Sequence, residues 1–268
     1  MNNYIQSKDA MLFLKDIPTN SVDLVLTDPP YFGIVKEHWD NNWKSIQDYS
    51  KWLSEIVQEI KRVLTPTGSL LMFHCVGKDK EHPIFQLVSD AEKCGLTYRN
   101  WLTWKKRRGY GKSHDYLFLR EEILWFSKSS ERTGITFNIP LTNIKRGYAG
   151  FNPDYPAKSE YKRVGNVMVD LWDYPDTLIE EPELMRPQRN CQKPEGLLTR
   201  LVETHSNPGQ LVVDCFAGYG STGIVALKLG RKFSGCEGIS QDAQLANDRC
   251  VLAAKTCSLG SKDQQQGA

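Results

Sequence analysis

Leu211-Val212-Val213-Asp214-Cys215-Phe216-Ala217-Gly218-Tyr219-Gly220-Ser221-Thr222-Gly223 opens as an apolar, β-branched run, turns through glycines, and passes into Ile224 to Leu229, which has a helical pattern. Glycines at a strand-to-helix turn let the backbone approach a ligand while helix N-terminal amides point at it. The Gly-Lys-Ser/Thr of a P-loop is missing, so that reading of the turn fails. A second strand, Lys232 to Glu237, ends on an acid 17 positions after Gly220. An acid closing the adjacent strand is where nucleoside-cofactor folds hold ribose hydroxyls. A lone Gly-x-Gly is as often a plain structural turn; together with Glu237 it predicts a nucleoside cofactor.

Outward from this unit, Val22 to Asp28 and Ser69 to Cys75 also read as buried strands. Between them Asp48 to Leu64 places Tyr49, Trp52, Leu53, Ile56, Val57, Ile60, Val63 and Leu64 on one helical face, and Thr65-Pro66-Thr67-Gly68 reads as a turn. Strand, helix, turn, strand predicts an α/β fold: a doubly wound, mostly parallel, Rossmann-like sheet with helices on both faces. Thr97 to Lys106 and Glu121 to Lys128, aromatic-rich and joined by a basic loop, predict an antiparallel hairpin appended to it. Periodicity fades over 129–189, where Pro, Gly, Tyr and Asn are frequent, and this reads as an insertion of loops and short elements. One domain over 1–256 and a polar, disordered tail over 257–268 complete the expected layout.

Thr27-Asp28-Pro29-Pro30-Tyr31 ends the strand that starts at Val22. In an open parallel sheet ligands sit at the carboxyl ends of the strands, so a carboxylate, a rigid backbone and an aromatic ring meet in the crevice. The prolines lack amide donors and leave the Pro29 carbonyl as an acceptor. Carboxylate and carbonyl form an acceptor pair suited to an exocyclic amino group, and Tyr31 offers a face for a planar base. In isolation the segment would be an ordinary proline-rich turn. Beside a nucleoside site it reads as functional.

The chain has 268 residues and 30.6 kDa, too short for two full-size domains with linkers. Lys plus Arg minus Asp plus Glu is 34 − 32 = +2, which taken alone argues against a polyanionic partner. The longest apolar runs are strand-sized, well short of the ~20 residues of a membrane span, and the N-terminus has no signal-like core, so the expected location is cytoplasmic. Seven cysteines with no Cys-x-x-Cys pair predict reduced structural thiols and no metal.

Asp28-Pro29-Pro30-Tyr31 followed, much later, by Phe216-Ala217-Gly218-Tyr219-Gly220 resembles the S-adenosylmethionine-dependent DNA amino-methyltransferases that modify adenine N6 or cytosine N4, in their permuted beta arrangement. The resemblance covers about residues 4 to 256. It implies Asp28, Pro29, Pro30 and Tyr31 as catalytic residues. It implies a cofactor site made by Asp9, Lys193, Pro194, Asp214, Phe216, Ala217, Gly218, Gly220, Ser221, Thr222 and Glu237. Asp9 falls where the family has an acid near the cofactor adenine, and Gln192-Lys193-Pro194 is similar to the segment lining the methionine end. Trp104-Lys105 and Glu121 to Phe126 resemble the hairpin bordering the target-base pocket, and the insertion 129–189 would be the target-recognition region. Cys215, Tyr219 and Ser221 stand where the family commonly has Pro, Ser and Thr.

The activity so implied is methyl transfer to the amino group of a flipped DNA base, adenine N6 ahead of cytosine N4 because Asp leads the motif where Ser is the more typical cytosine signal. No Pro-Cys dipeptide occurs, which argues against cytosine C5 chemistry. A cofactor-dead DNA-binding protein is the alternative from outside enzymology. DNA as partner accords with Lys105, Lys106, Arg107, Arg108 and Lys112, which carry no interspersed acid and have Trp101, Trp104 and Tyr110 around them. Lys145 and Arg146 form a second basic candidate. The acids from Asp170 to Glu183 are expected to face away from phosphates. A homodimer stays open.

Overall fold

The structure is a computed structural model that describes residues 3–33, 42–76, 82–110, 113–114, 116–145, 161–168 and 192–263, with backbone alone for 107–110, 142–145 and 257–263. In chain order the strands are β1 (Ile5–Ser7), β2 (Val22–Thr27), β3 (Leu64–His74), β4 (Thr97–Tyr110), β5 (Phe118–Ser127), β6 (Leu141–Lys145), β7 (Tyr161–Arg163), β8 (Val167–Met168), β9 (Leu211–Asp214) and β10 (Lys232–Glu237). The helices are α1 (Ala10–Asp16), α2 (Ile46–Val63), α3 (Pro83–Lys93), α4 (Glu195–His205), α5 (Ser221–Lys228) and α6 (Ser240–Asp263).

Eight strands form one sheet in the order β1-β10-β9-β2-β3-β5-β4-β8, and β6 pairs with β7 separately. From β1 to β3 every pairing is parallel. The strand β5 lies antiparallel to both β3 and β4, and this is the expected hairpin. It is not an end piece, because β8 from the insertion pairs with the outer edge of β4 and extends the sheet further. The chain leaves β9 toward β10 on one side and β2 toward β3 on the other. Such a reversal opens a crevice beyond the carboxyl ends of β9 and β2, where open α/β sheets bind ligands.

Strand alternation divides the core between two faces. Leu24 and Leu26 of β2 and Leu71 and Phe73 of β3 pack with α4, α5 and α6. Val22, Val25, Leu70 and Met72 pack with α1, α2 and α3. Helix α2 is capped by Ser45, whose hydroxyl accepts from the Asp48 amide, and it buries Tyr49, Leu53, Ile56, Val57, Ile60 and Val63 on one face. Each such aliphatic side chain contributes roughly 1.5–3 kcal/mol by leaving water. Close contact of α5 with β10 depends on Gly223, where an added Cβ would lie 2.5 Å from the Phe233 ring.

Two boundaries differ from expectation. Thr65-Pro66-Thr67-Gly68 is no separate turn but a bulge inside β3: pairing passes from Val22↔Leu64 straight to Leu24↔Ser69. Pro66 cannot donate to a ladder, and the extra residues loop out while the strand continues. At the other end α6 runs on to Asp263, into the stretch expected to be a tail. No proline interrupts it there, and extending an existing helix is far easier than starting one.

Candidate active site

The crevice beyond β9 and β2 brings the two sequence motifs together through one hydrogen bond. Thr27, the last residue of β2, donates from Oγ1 to Asp214 Oδ1 at 2.7 Å. Asp214 also accepts from the Phe216 amide at 3.1 Å, and burial pushes its carboxyl up to about 6. The residue preceding the acidic turn is thereby fixed to the residue opening the glycine loop.

On the β2 side, Asp28 is surrounded by partners from distant parts of the chain. The Tyr31 hydroxyl donates to Asp28 Oδ1. Lys193 Nζ lies 2.7 Å from Asp28 Oδ2 and 2.8 Å from Glu121 Oε2. Lys106 in turn pairs with Glu121 Oε1. Burial raises the Asp28 carboxyl, Lys193 opposes that, and Glu121 adds to it. For Glu121 burial is outweighed by Lys193 and Lys106, which hold it below the usual range. For Lys193 the two carboxylates outweigh burial and keep the ammonium charged.

Beneath this cluster Tyr31 stacks on His74, with centroids 5.3 Å apart and planes at 20°. His74 Nε2 is 3.2 Å from the Tyr49 hydroxyl, which donates to the Pro30 carbonyl at 2.7 Å, and its Nδ1 accepts from the Cys75 amide at 2.8 Å. Burial drops the imidazole to about 4, so it is neutral. The chain then turns sharply at Phe32, a non-glycine residue at φ 64°, whose ring packs 5.6 Å from Tyr49. Left-handed backbone at a bulky residue costs on the order of 1–3 kcal/mol and persists only where the surroundings impose it.

Backbone groups build the β9 side. Gly220 precedes α5 at φ 80°, and an added Cβ would meet the Ala246 carbonyl at 3.0 Å. At Gly218 an added Cβ would meet nothing within 4 Å, so the loop presents bare backbone to open space. The Gly218 amide donates to Glu237 Oε2 at 3.0 Å and the Ile239 amide to Glu237 Oε1 at 2.9 Å; burial raises this carboxyl. Ala217 donates to the Cys236 carbonyl at 2.9 Å, and Phe216 packs edge-on against Trp52. Ser221 and Thr222 are buried in the first turn of α5. An open glycine backbone with an acid closing the next strand fits a nucleoside cofactor.

Gln192 and Lys193, adjacent in sequence, serve opposite sides of the crevice. Gln192 Oε1 accepts from Ser221 Oγ at 3.2 Å and from Arg249 at 2.9 Å, while Arg249 also donates to the Tyr219 carbonyl. Arg249 is 1% exposed, a buried cation that pins the loop at Tyr219. Pro194 stands at the N-terminal boundary of α4, and Asp9 caps α1 by accepting from the amides of Met11 and Leu12.

Among the basic candidates, Lys105 is exposed on β4. Lys106 is instead turned to Glu121, since consecutive side chains alternate across a strand and Glu121 supplies the counter-charge. Arg99 donates to Ser127, Ser129 and Glu131 and is structural. The side chains of Arg107, Arg108 and Lys145, and all of Lys112, Arg146 and 169–191, lie outside the described residues. Trp43 packs against Tyr49 and Trp52. Cys75, Cys94, Cys215, Cys236 and Cys250 are free, and burial pushes Cys215 and Cys250 up to about 12. Among the described residues no helix is long and apolar enough to cross a membrane. Sequence reading missed His74, Tyr49, Phe32 and Arg249, and the meeting of Lys193 with Asp28. His74 alone had a usable signal, since it ends a parallel strand next to β2.

The profile of a DNA methylase family, the N6/N4 methyltransferases, matches residues 22–248. The chain belongs to that family. Its expected chemistry, S-adenosylmethionine-dependent methylation of amino groups in DNA, stands on this membership. The DNA adenine methyltransferase YhdJ of Escherichia coli is 33% identical over 259 residues, 92% of this chain and 82% of that protein. The type II methyltransferase M.BglII of Bacillus subtilis is 31% identical over 88% of this chain, which spans 65% of its length. The fold is similar to that of PvuII DNA methyltransferase (cytosine-N4-specific), with a TM-score of 0.68, 16% identity and coverage of 94% and 91%. A solved M1.HpyAVI–SAM complex matches at TM-score 0.60 and 21% identity over 91% of this chain and 97% of that one.

Proposed function

We propose that the protein methylates N6 of an adenine flipped out of duplex DNA, within a fixed recognition sequence, with S-adenosylmethionine as donor. The observation that carries this is the Thr27–Asp214 hydrogen bond, which brings the amino-group acceptors and the cofactor cradle to one crevice. When bound, S-adenosylmethionine supplies a sulfonium methyl already activated for transfer, leaving its electron pair on sulfur. Glu237 and the backbone at Gly218 hold the nucleoside, and Gln192, which reaches Ser221, borders the methionine end.

Asp28 and the Pro29 carbonyl accept hydrogen bonds from the exocyclic amino group, drawing its nitrogen toward tetrahedral geometry. These bonds strengthen as the nitrogen becomes cationic, which is stabilisation specific to the transition state. Asp28 then accepts the proton that the methylated nitrogen sheds. An amino nitrogen inside a duplex cannot be reached, so the base leaves the stack. With His74 on one face of Tyr31, the base stacks on the other. Adenine is favoured because Asp leads the motif and because YhdJ is by name an adenine enzyme. Lys105, the basic end of β4 and the insertion 129–189 contact DNA in this reading.

The test is expression in a host lacking adenine methylation, followed by modified-base sequencing of its DNA. N6-methyladenine at one motif is expected. N4-methylcytosine would move the reading to the other base, and unmodified DNA with intact DNA binding would overturn it in favour of a cofactor-dead binding protein.

A further inference from the structure

We infer that Lys193 is a positioning residue for methyl transfer that acts through Asp28, its single ammonium shared between Asp28 and Glu121 so that the acceptor carboxylate is held ionised and aimed. The inference rests on the function proposed above and reassigns Lys193 away from the cofactor, where the family resemblance puts it. Its ammonium lies 2.7 Å from Asp28 Oδ2 and 2.8 Å from Glu121 Oε2, with 12% of the side chain exposed. It also lies 4.9 Å from the Phe73 ring centroid and 3.4 Å from the Tyr31 hydroxyl, so two aromatic side chains flank it. Gln192, its neighbour, is the residue that reaches the glycine loop.

The problem Lys193 solves is desolvation. A flipped base stacking into the crevice removes water from Asp28, and a carboxylate without water tends to take up a proton and lose its acceptor role. Among the described residues no other group places a counter-charge on Asp28, although the Tyr31 hydrogen bond favours the carboxylate to a smaller extent than Lys193 does. Tyr31 donates one hydrogen bond but stays neutral, because burial and then Asp28 and Glu121 raise its hydroxyl. His74 is neutral under Tyr31. Glu121 on β5 and Asp214 on β9 disfavour a charged Asp28, and Lys106 on β4 is paired to Glu121. Among the described residues Lys193 is the cation placed directly on the carboxylate.

Opposite-signed variants test this. Lys193→Met should lower kcat by about 10²-fold near neutral pH through lost positioning, move the acid limb of the kcat–pH profile to higher pH, and leave the dissociation constant for S-adenosylmethionine as in the wild type. Glu121→Gln should move that limb to lower pH, and Lys193→Arg should return it toward the wild-type position. Loss of S-adenosylmethionine binding in step with activity in Lys193→Met would return the lysine to the cofactor and overturn the inference. A second readout does not need turnover: the ¹³C-carboxyl signal of Asp28, assigned by its loss in Asp28→Asn, should titrate at higher pH in Lys193→Met. An identical titration in both proteins would overturn the inference even in an active enzyme. A wild type that does not methylate DNA would sink the proposed function, while the Asp28 titration still reported on Lys193.

Discussion

Around Asp28 the geometry is set by side chains that carry or share charge, namely Lys193, Glu121, Lys106 and Tyr31. Around Gly218 and Gly220 it is set by backbone amides and by the lack of Cβ atoms. The two sides meet in one hydrogen bond between Thr27 and Asp214, yet they solve different problems. The acceptor side must polarise a nitrogen, which requires a field. The cofactor side must fit a large ligand closely, which requires shape. Removal of one charge should therefore disable the first without disturbing binding at the second, and addition of a methyl group should disturb the second.

The largest expected effect is that of Asp28→Ala. Turnover should fall about 10³-fold, the scale on which a single preorganised transition-state contact acts, while calorimetry shows S-adenosylmethionine binding unchanged. If binding fell as well, the two sides would not be separable.

Acid should act on the two sides with opposite sign. His74 has an imidazole lowered from 6.5 to about 4, so its contribution is complete above 6.5 and is lost as pH falls toward 4. Asp214 has a carboxyl raised from 3.8 to about 6, so the fold gains stability as pH falls through 6 toward 3.8. At ~1.4 kcal/mol per pH unit for each proton, each amounts to roughly 2–3 kcal/mol between pH 7 and 4.5. Relative to the wild type, His74→Phe should thus be more stable at pH 4.5 than at pH 7, and Asp214→Asn less. Urea midpoints at the two pH values check both directions. Gly223→Ala should cost about 2 kcal/mol at any pH, seen as a lower Tm, because the new Cβ would lie 2.5 Å from the Phe233 ring and 2.7 Å from Cys250 Sγ.

The same contrast explains what the sequence could tell. The glycine loop was legible because its signal is local: a strand, glycines and a helix lie within Leu211 to Leu229, and the acid of the next strand follows at once. The parallel sheet and the β4–β5 hairpin were legible from apolar runs for the same reason. The charged cluster was not. Lys193 meets Asp28 across 165 positions and Glu121 across 72, so only the closed fold brings them together. Arg249, a charged residue in α6, carries no sequence mark of being buried against Tyr219 and Gln192. The bulge at 65–68 went unread because Pro66 and Gly68 punctuate a strand and a turn in the same way.

The smallest expected effect bears on a charge inside the shape-built side. Glu237 accepts from the amides of Gly218 and Ile239, and burial raises its carboxyl. Ribose hydroxyls donating to it would bond more strongly to the ionised form, so binding of S-adenosylmethionine should weaken as pH falls through the raised range. Glu237→Gln keeps one acceptor oxygen and removes the charge, so the dissociation constant should rise about tenfold, equal to ~1.4 kcal/mol for one charge-assisted hydrogen bond. The acid weakening should vanish with it, while kcat at saturating cofactor stays at the wild-type value because Glu237 does not touch the accepting nitrogen. Titration calorimetry across pH checks the first two points. A fall in kcat at saturation would mean that the loop aims the methyl group as well as holding the nucleoside, and the division between a side built on charge and a side built on shape would then run through Glu237 itself.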